Sequence, residues 1–223
     1  MKKILFVSLV LFISCAFIPQ KKTKVIFFGD SITELGVKPG GYVTRIDSMS
    51  KVEGKGGQYD FVGAGVSGNK VYDLYLRMED DVLSKNPDVV VIYVGVNDVW
   101  HKTLLGTGTD ADKFEKFYYA ILKKLKDRNI KAILCTPAVV GEKTDMSNQL
   151  DGDLNRYSNI IRDIAKKNDL PLVDLRQRFI AYDKENNPTN DEKNILTYDK
   201  VHLNAKGNQL VADMMWKAVK ELK

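Results

Sequence analysis

The chain has 223 residues, which is enough for one domain of ordinary size with a sizeable hydrophobic core. Hydrophobic residues make up 44% and charged residues 28%, a balance that excludes disordered and fibrous classes of protein. The formal net charge is +5, but the lysines are scattered beside acids and form no basic block with interleaved aromatic residues, so we expect no nucleic-acid partner.

The N-terminal segment is typical of an export signal. Lys2 and Lys3 precede an almost wholly apolar run from Ile4 to Ile13, which is too short to span a bilayer. A basic start, a short apolar run and then small residues are the features of a bacterial secretory signal. We therefore predict a signal peptide over 1–20, one domain over 21–223, and export to the periplasm, the cell surface or the medium. The alternative is a buried N-terminal strand or helix.

The two cysteines have different predicted environments. Cys15 directly follows the apolar run, and Phe-Ile-Ser-Cys at 12–15 resembles a lipoprotein signal, although Phe12 stands where Leu is usual. Cys15 is then either lipidated or lost with an ordinary cleaved peptide, and both remain open. Cys135 ends the apolar run 132–135 and is predicted to be a core residue, so we expect no intramolecular disulfide.

Short apolar runs alternate with amphipathic segments along the rest of the chain. The predicted strands are Val25–Phe28, Phe61–Ala64, Val89–Val94, Ala132–Thr136 and Leu172–Leu175. The predicted helices are Tyr42–Met49, Lys70–Ser84, Asp112–Arg128, Leu154–Lys167 and Ala205–Leu222. Continuous apolar runs suit strands covered on both faces. The alternation predicts an α/β fold, a doubly wound sandwich around a mostly parallel five-stranded sheet.

Polar motifs follow the first three predicted strands. They are Gly-Asp-Ser at 29–31, Gly-Val-Ser-Gly-Asn at 65–69 and Gly-Val-Asn-Asp at 95–98. Each alone would be read as turn chemistry, because Gly, Asn, Asp and Ser dominate turns. In a doubly wound sheet, however, ligands bind outside the carboxyl ends of the strands, so the three motifs are expected to meet at one edge.

Ser31 is the predicted nucleophile at that edge. A serine hydroxyl needs a base, usually histidine, and the chain has only His101 and His202. His202 precedes the last predicted helix and follows Asp199 by three residues, a spacing that lets the carboxylate reach Nδ1. Acyl transfer also needs donors for the oxyanion, which the backbone N–H groups of Ser31 and Gly68 and the Asn97 amide can supply. The alternative for Asn97 is a loop residue that bonds its own backbone.

The four motifs together resemble the SGNH hydrolase superfamily, also called the GDSL-type esterase/lipase family. Its key Ser, Gly, Asn and His correspond to Ser31, Gly68, Asn97 and His202, in that order along the chain. The resemblance implies a flavodoxin-like three-layer α/β/α domain and a catalytic triad of Ser31, Asp199 and His202. It also implies an oxyanion hole from Ser31, Gly68 and Asn97, and ester hydrolysis through an acyl-enzyme with no metal and no organic cofactor. In some family members the acid of the triad is weak or replaced.

Other residues near the motifs have predicted supporting roles. Asp30 is expected to hold the nucleophile turn and is also a candidate substrate-binding residue, and Asp98 is expected to orient the Asn97 loop. Thr33, Glu34 and Leu35 are expected to line one wall of the site. Trp100 and His101 either line the acyl or alcohol pocket or pack on the surface. The polar segment 141–153 is predicted to be a loop over the site.

The substrate class is a hypothesis from context. The chain has no long apolar lid, which argues against a lipase for long-chain triglycerides. We predict a short-acyl (acetyl) esterase, with small-molecule or glycan esters such as carbohydrate O-acetyl groups as substrates. The alternatives are a lysophospholipase or thioesterase-type acyl hydrolase, and a non-catalytic glycan-binding module. A zinc hydrolase is disfavoured because no His-Glu-x-x-His spacing occurs. Membrane contact is expected only through the signal segment or a lipid anchor, and no oligomeric state is predicted.

Overall fold

The computed structural model describes residues 21–222, so the predicted signal segment 1–20, with Cys15, lies outside the described residues. The strands are β1 Thr23–Gly29, β2 Tyr59–Gly65, β3 Val89–Tyr93, β4 Lys131–Cys135 and β5 Leu172–Val173. The helices are α1 Ser31–Gly36, α2 Tyr42–Val52, α3 Val71–Asp81, α4 Val96–Leu105, α5 Ala111–Asp127, α6 Asp151–Lys167, α7 Leu175–Asn186 and α8 Ala205–Glu221, with a short 3-10 turn at Leu83–Lys85.

The five strands form one parallel sheet in the order β2-β1-β3-β4-β5. Val25 of the interior strand β1 pairs with Phe61 of β2 on one side and with Val89 of β3 on the other. The strand order reverses beside β1, so the crevice between the carboxyl ends of β1 and β3 is where this topology binds ligands. The predicted α/β class, a three-layer flavodoxin-like sandwich, is confirmed.

Helices cover both faces of the sheet. Ile26 and Phe28 of β1 point to one face, where they pack with α3, α5 and α6. Val25 and Phe27 point to the other face, where they pack with α1, α2, α7 and α8. Burial on both faces explains why these strands are continuously apolar rather than alternating. Cys135 is buried in the second cluster as a free thiol, as expected of a core residue.

The structure adds three helices that were not predicted, namely α1, α4 and α7. Gly95, with φ of 129°, turns the chain from β3 into α4, so Asn97 lies in a helix and not in a loop. The Asp174 side chain accepts a hydrogen bond from Gln177 N (3.1 Å) and starts α7. Leu175 therefore begins a helix instead of ending the fifth strand.

The predicted loop 141–153 is shorter than expected, because α6 already begins at Asp151. Among residues 21–222, no helix combines the length and the apolar character that crossing a membrane requires.

Candidate active site

The nucleophile turn joins β1 to α1. Ser31 is the first residue of α1, and the Asp30 carboxylate caps this helix by accepting a hydrogen bond from Ile32 N (3.0 Å). Asp30 is only 2% exposed, and this burial raises its pKa to about 6, against the opposing effects of the Ile32 hydrogen bond and of the nearby charges of His202 and Arg77. Asp30 therefore caps the turn, as expected, but its predicted role in substrate binding is wrong because the side chain is buried.

The structure brings Ser31, His202 and Asp199 into one hydrogen-bonded series. His202 Nε2 lies 2.8 Å from Ser31 Oγ, and His202 Nδ1 lies 2.7 Å from Asp199 Oδ2. The other Asp199 oxygen accepts from the backbone N–H groups of His202 (2.7 Å) and Val201 (3.1 Å). This geometry allows a proton to move from the hydroxyl to an imidazole whose orientation is fixed.

Asp199 is held in its charged form. Partial burial opposes ionisation, but hydrogen bonds from the His202 side chain and from the backbone N–H groups of His202 and Val201 outweigh it and lower the pKa of Asp199. A carboxylate is the state that stabilises a charged imidazolium beside it.

Two further predicted donors, those of Gly68 and Asn97, lie on neighbouring segments. Gly68 has φ of 76°, a left-handed conformation that favours glycine. Asn97 lies in the first turn of α4, is 3% exposed, and donates through Nδ2 to Asn69 O (3.1 Å). An amide nitrogen carries two hydrogens, so the second can donate to a substrate oxygen.

The segment that follows β2 packs tightly against the nucleophile helix. A Cβ on Gly65 would lie 2.1 Å from Glu34 N, so only glycine permits this approach. The Glu34 carboxylate accepts from both the backbone N–H and the hydroxyl of Ser67, each at 2.6 Å. Glu34 therefore joins α1 to the Gly68 segment, and its place in the wall of the site stays a prediction.

The predicted role of Thr33 in the pocket wall is wrong. Thr33 is fully buried, and its hydroxyl accepts from Tyr42 OH (2.9 Å), because it lies on the inward face of α1. Leu35, on the same short helix, is 41% exposed and remains available to a ligand.

Trp100 and His101 lie on α4 beside the Asn97 turn. His101 is mostly buried, and burial, together with the charge of Lys70, lowers its pKa, so it is neutral at physiological pH. Its Cε1 lies 3.8 Å from the position that a Cβ would take on Gly68. Trp100 is partly buried and contributes to a cleft that Lys200 also lines.

Asp98 connects the helix that carries Asn97 to α3, and its predicted role in orienting Asn97 stays a prediction. Its carboxylate accepts from Val71 N (3.1 and 3.3 Å), the first residue of α3, and so ties α3 to α4. Complete burial raises the pKa of Asp98 to about 7.

The segment 141–150 packs beside the loop that carries Asp199 and His202. Gly141 N donates to Lys200 O (2.9 Å). The buried Glu142 carboxylate accepts from three successive backbone N–H groups, those of Ile195 (2.9 Å), Leu196 (2.7 Å) and Thr197 (2.7 Å). These hydrogen bonds attach the segment directly to the loop that carries Asp199 and His202. That the segment covers the site stays a prediction.

Sequence reasoning missed three residues around the site. Tyr198 is half exposed and its ring stacks on that of His202, with centroids 5.9 Å apart. Asn69 accepts from Asn97 and also contacts Arg77. Asn69 stood within the motif at 65–69 and could have been noted, but Arg77 lies in the middle of a helix with no spacing signal. Within residues 21–222, no group of three or more His, Cys, Asp or Glu side chains is arranged to hold a metal ion.

A serine hydroxyl, an imidazole and a carboxylate in hydrogen-bonded series at this edge of a parallel sheet are the arrangement of serine hydrolases with an α/β fold. Residues 27–210 match the model of the GDSL-like Lipase/Acylhydrolase family. The chain belongs to this family and is a hydrolase acting on ester bonds, which confirms the resemblance inferred from the four motifs.

Relatives and solved structures agree with this assignment. An acetylxylan esterase of Geobacillus stearothermophilus is 29% identical over 206 residues, covering 85% of this chain and 90% of its own. The crystal structure of an acetyl xylan esterase, AlAXEase, is 64% identical with a TM-score of 0.87, covering 88% of this chain and 99% of its own. An uncharacterized lipoprotein of Bacillus subtilis (strain 168), YqeF, is 25% identical over 236 residues, covering 95% of each chain.

Proposed function

We propose that this chain is a serine esterase that removes acetyl groups from carbohydrates through an acyl-enzyme on Ser31. The observation that carries the proposal is the series in which His202 Nε2 lies 2.8 Å from Ser31 Oγ and Nδ1 lies 2.7 Å from Asp199. The names of two relatives, both acetylxylan esterases, support acetylated xylan as the first substrate to test.

In the first half of the reaction, Ser31 Oγ attacks the ester carbonyl carbon while its proton passes to His202 Nε2. The carbonyl oxygen becomes an oxyanion that accepts from Ser31 N, Gly68 N and Asn97 Nδ2. The tetrahedral intermediate collapses when the bond to the sugar oxygen breaks, and that oxygen takes the proton from His202. The products of this half are the free sugar hydroxyl and acetyl-Ser31.

In the second half, water replaces the sugar hydroxyl. His202 Nε2 removes a proton from the water as the water oxygen attacks the acetyl carbon. The same three groups donate hydrogen bonds to the oxyanion, and Ser31 Oγ leaves with the proton from His202, so acetic acid is released and the hydroxyl is restored. Asp199, charged in both halves, stabilises the imidazolium each time it forms.

The surroundings of the proposed oxyanion donors favour a short acyl group. The imidazole of His101 borders the space beside this donor, because its Cε1 would be in van der Waals contact, at 3.8 Å, with a Cβ on Gly68. On the other side, the half-exposed ring of Tyr198 lies against His202 and offers an open aromatic face. Aromatic side chains commonly line ligand sites, and this face suits the sugar side of the ester.

We also propose that the protein is exported and that residues 1–20 form its signal. The basic and apolar start of the chain supports this, as does the similarity to a protein named a lipoprotein. Intact-mass measurement of the mature protein tests it. A diacylglyceryl adduct on Cys15 is expected of a lipoprotein, a shorter unmodified chain indicates simple cleavage, and retention of Met1 contradicts export through this segment.

An activity panel tests the enzymatic proposal. p-Nitrophenyl esters of increasing acyl length and acetylated xylan are compared for the parent protein, for Ser31→Ala and for the matched control Ser84→Ala, whose hydroxyl lies on the exposed surface. We expect the parent protein to prefer acetyl esters. Ser31→Ala is expected to lose activity, whereas the control Ser84→Ala is expected to keep the activity of the parent. A clear preference for long acyl chains contradicts the substrate class and favours a lysophospholipase or thioesterase. Undiminished hydrolysis by Ser31→Ala contradicts the mechanism.

A further inference from the structure

Arg77 lies on α3, outside the four family motifs, yet its guanidinium contacts the segments that carry Ser31 and Gly68 and reaches Asn97 through Asn69. Its side chain is only 17% exposed. A guanidinium offers five N–H donors in a rigid, planar arrangement, so one side chain can join several acceptors at fixed angles.

The first contacts are to the ends of two strands. Arg77 Nη2 donates to Gly29 O (2.7 Å), two residues before Ser31, and to Ala64 O (3.0 Å), near the end of β2. The guanidinium also lies over the ring of Phe28, with its carbon 4.6 Å from the ring centroid. These contacts fix the guanidinium to β1 and β2 where the Ser31 and Gly68 segments begin.

A further hydrogen bond, to Asn69, connects Arg77 with the Gly68 and Asn97 donors. Arg77 Nε donates to Asn69 Oδ1 (2.6 Å), and the backbone oxygen of the same Asn69 accepts from Asn97 Nδ2 (3.1 Å). Asn69 directly follows Gly68, and its backbone N–H donates to Val66 O (3.3 Å), so holding its side chain restrains the turn that contains Gly68. Asp81 accepts from Arg77 Nη1 (2.6 Å) and steadies the guanidinium from the other side.

From these contacts we infer that Arg77, acting through Asn69, is a positioning residue that aligns the Gly68 and Asn97 donors with the Ser31 nucleophile. The inference rests on the proposed function, because the alignment matters only if an oxyanion forms there. Donors of this kind stabilise the transition state far more than the bound ester, so their displacement lowers kcat with little change in KM.

The test compares Arg77→Met, Arg77→Lys, Asn69→Ala and Asn69→Asp with the control Arg128→Lys, an exposed arginine paired with Glu79. kcat and KM for p-nitrophenyl acetate are measured per active site titrated, and unfolding is followed in urea. Arg77→Met and Asn69→Ala are expected to lower kcat about 10- to 100-fold with KM within about twofold, since removal of a whole oxyanion donor costs about 10²- to 10³-fold. Asn69→Asp keeps an acceptor for Arg77 Nε and is expected to retain activity.

Coupling between the effects of the Arg77 and Asn69 substitutions on kcat distinguishes a positioning role from a purely structural one. If Arg77 acts through Asn69, the double variant Arg77→Met/Asn69→Ala loses no more kcat than the worse single variant, and ethylguanidinium added to Arg77→Ala restores part of the rate. Full per-site kcat in folded Arg77→Met overturns the inference, as does an Arg77→Met/Asn69→Ala loss equal to the product of the single losses. An inactive parent protein contradicts the proposed function instead, so the two failures are distinguishable.

Discussion

Glu142 attaches the 141–150 segment to the loop that carries the proposed base, and Glu142→Gln is the sharpest perturbation of that attachment. The carboxylate is 1% exposed, and one oxygen accepts from Leu196 N and Thr197 N while the other accepts from Ile195 N. Glutamine keeps an oxygen for the first two but turns an NH2 group toward Ile195 N. One hydrogen bond to a charged acceptor is then lost, at about 1.5–3 kcal/mol, and the remaining two weaken because the charge is gone.

We expect Glu142→Gln to lower the free energy of unfolding by about 3 kcal/mol, measured by urea denaturation at neutral pH. A β-bridge between Thr197 and Leu203 closes the loop that contains His202. Loosening that loop is therefore also expected to reduce kcat about tenfold. The matched control is Glu192→Gln, an exposed carboxylate paired with Lys200, which is expected to change stability by less than about 1 kcal/mol. A loss below about 1 kcal/mol in Glu142→Gln, or equal losses in both variants, would refute this reasoning.

Three further substitutions test other parts of the structure. Asp199→Asn removes the charge beside His202 and is expected to lower kcat about 100-fold or more in steady-state assays; a loss under about threefold means that the imidazole does not need this carboxylate. Gly68→Ala puts a Cβ at φ of 76° and should cost about 1–2 kcal/mol in urea unfolding, with kcat falling more than KM rises; unchanged stability would contradict the strain. Asp183 is 3% exposed, and burial, with the charge of Glu142, raises its pKa to about 7, so its charge destabilises the fold as pH rises. Asp183→Asn should therefore match the parent near pH 4 and become more stable than the parent as pH rises from about 4 to 7. It should stay about 4 kcal/mol more stable at higher pH, since a pKa raised from 3.8 to about 7 corresponds to about that free energy, whereas the exposed control Glu185→Gln should show no such difference.

The fold could be predicted because its strands are buried on both faces. Runs such as Val89–Tyr93 are apolar at every position, and that pattern, alternating with amphipathic helices, specifies a doubly wound sheet. The helices that were missed lack such a pattern. α1 has only six residues, and α7 buries Arg176 and Asp183 on its inward face, so the spacing of its apolar residues is obscured.

The candidate site was predictable where its residues follow strands. Ser31, Gly68 and Asn97 come just after β1, β2 and β3, and the topology brings such positions to one edge. Thr33 was misplaced because the sequence does not show which side of a one-turn helix faces inward. Arg77 was missed because its acceptors, Gly29 O and Ala64 O, are backbone groups that only the folded sheet brings together.

The central claim is that Ser31 is activated by His202, and covalent labelling tests it most directly. The protein is treated with a fluorophosphonate, the adduct is mapped by peptide mass spectrometry, and residual hydrolysis of p-nitrophenyl acetate is followed over the same time course. We predict one adduct, on Ser31, that forms at the rate at which activity disappears and that forms far more slowly in His202→Ala. An adduct on another residue, or complete labelling of Ser31 with hydrolysis undiminished, would contradict the account.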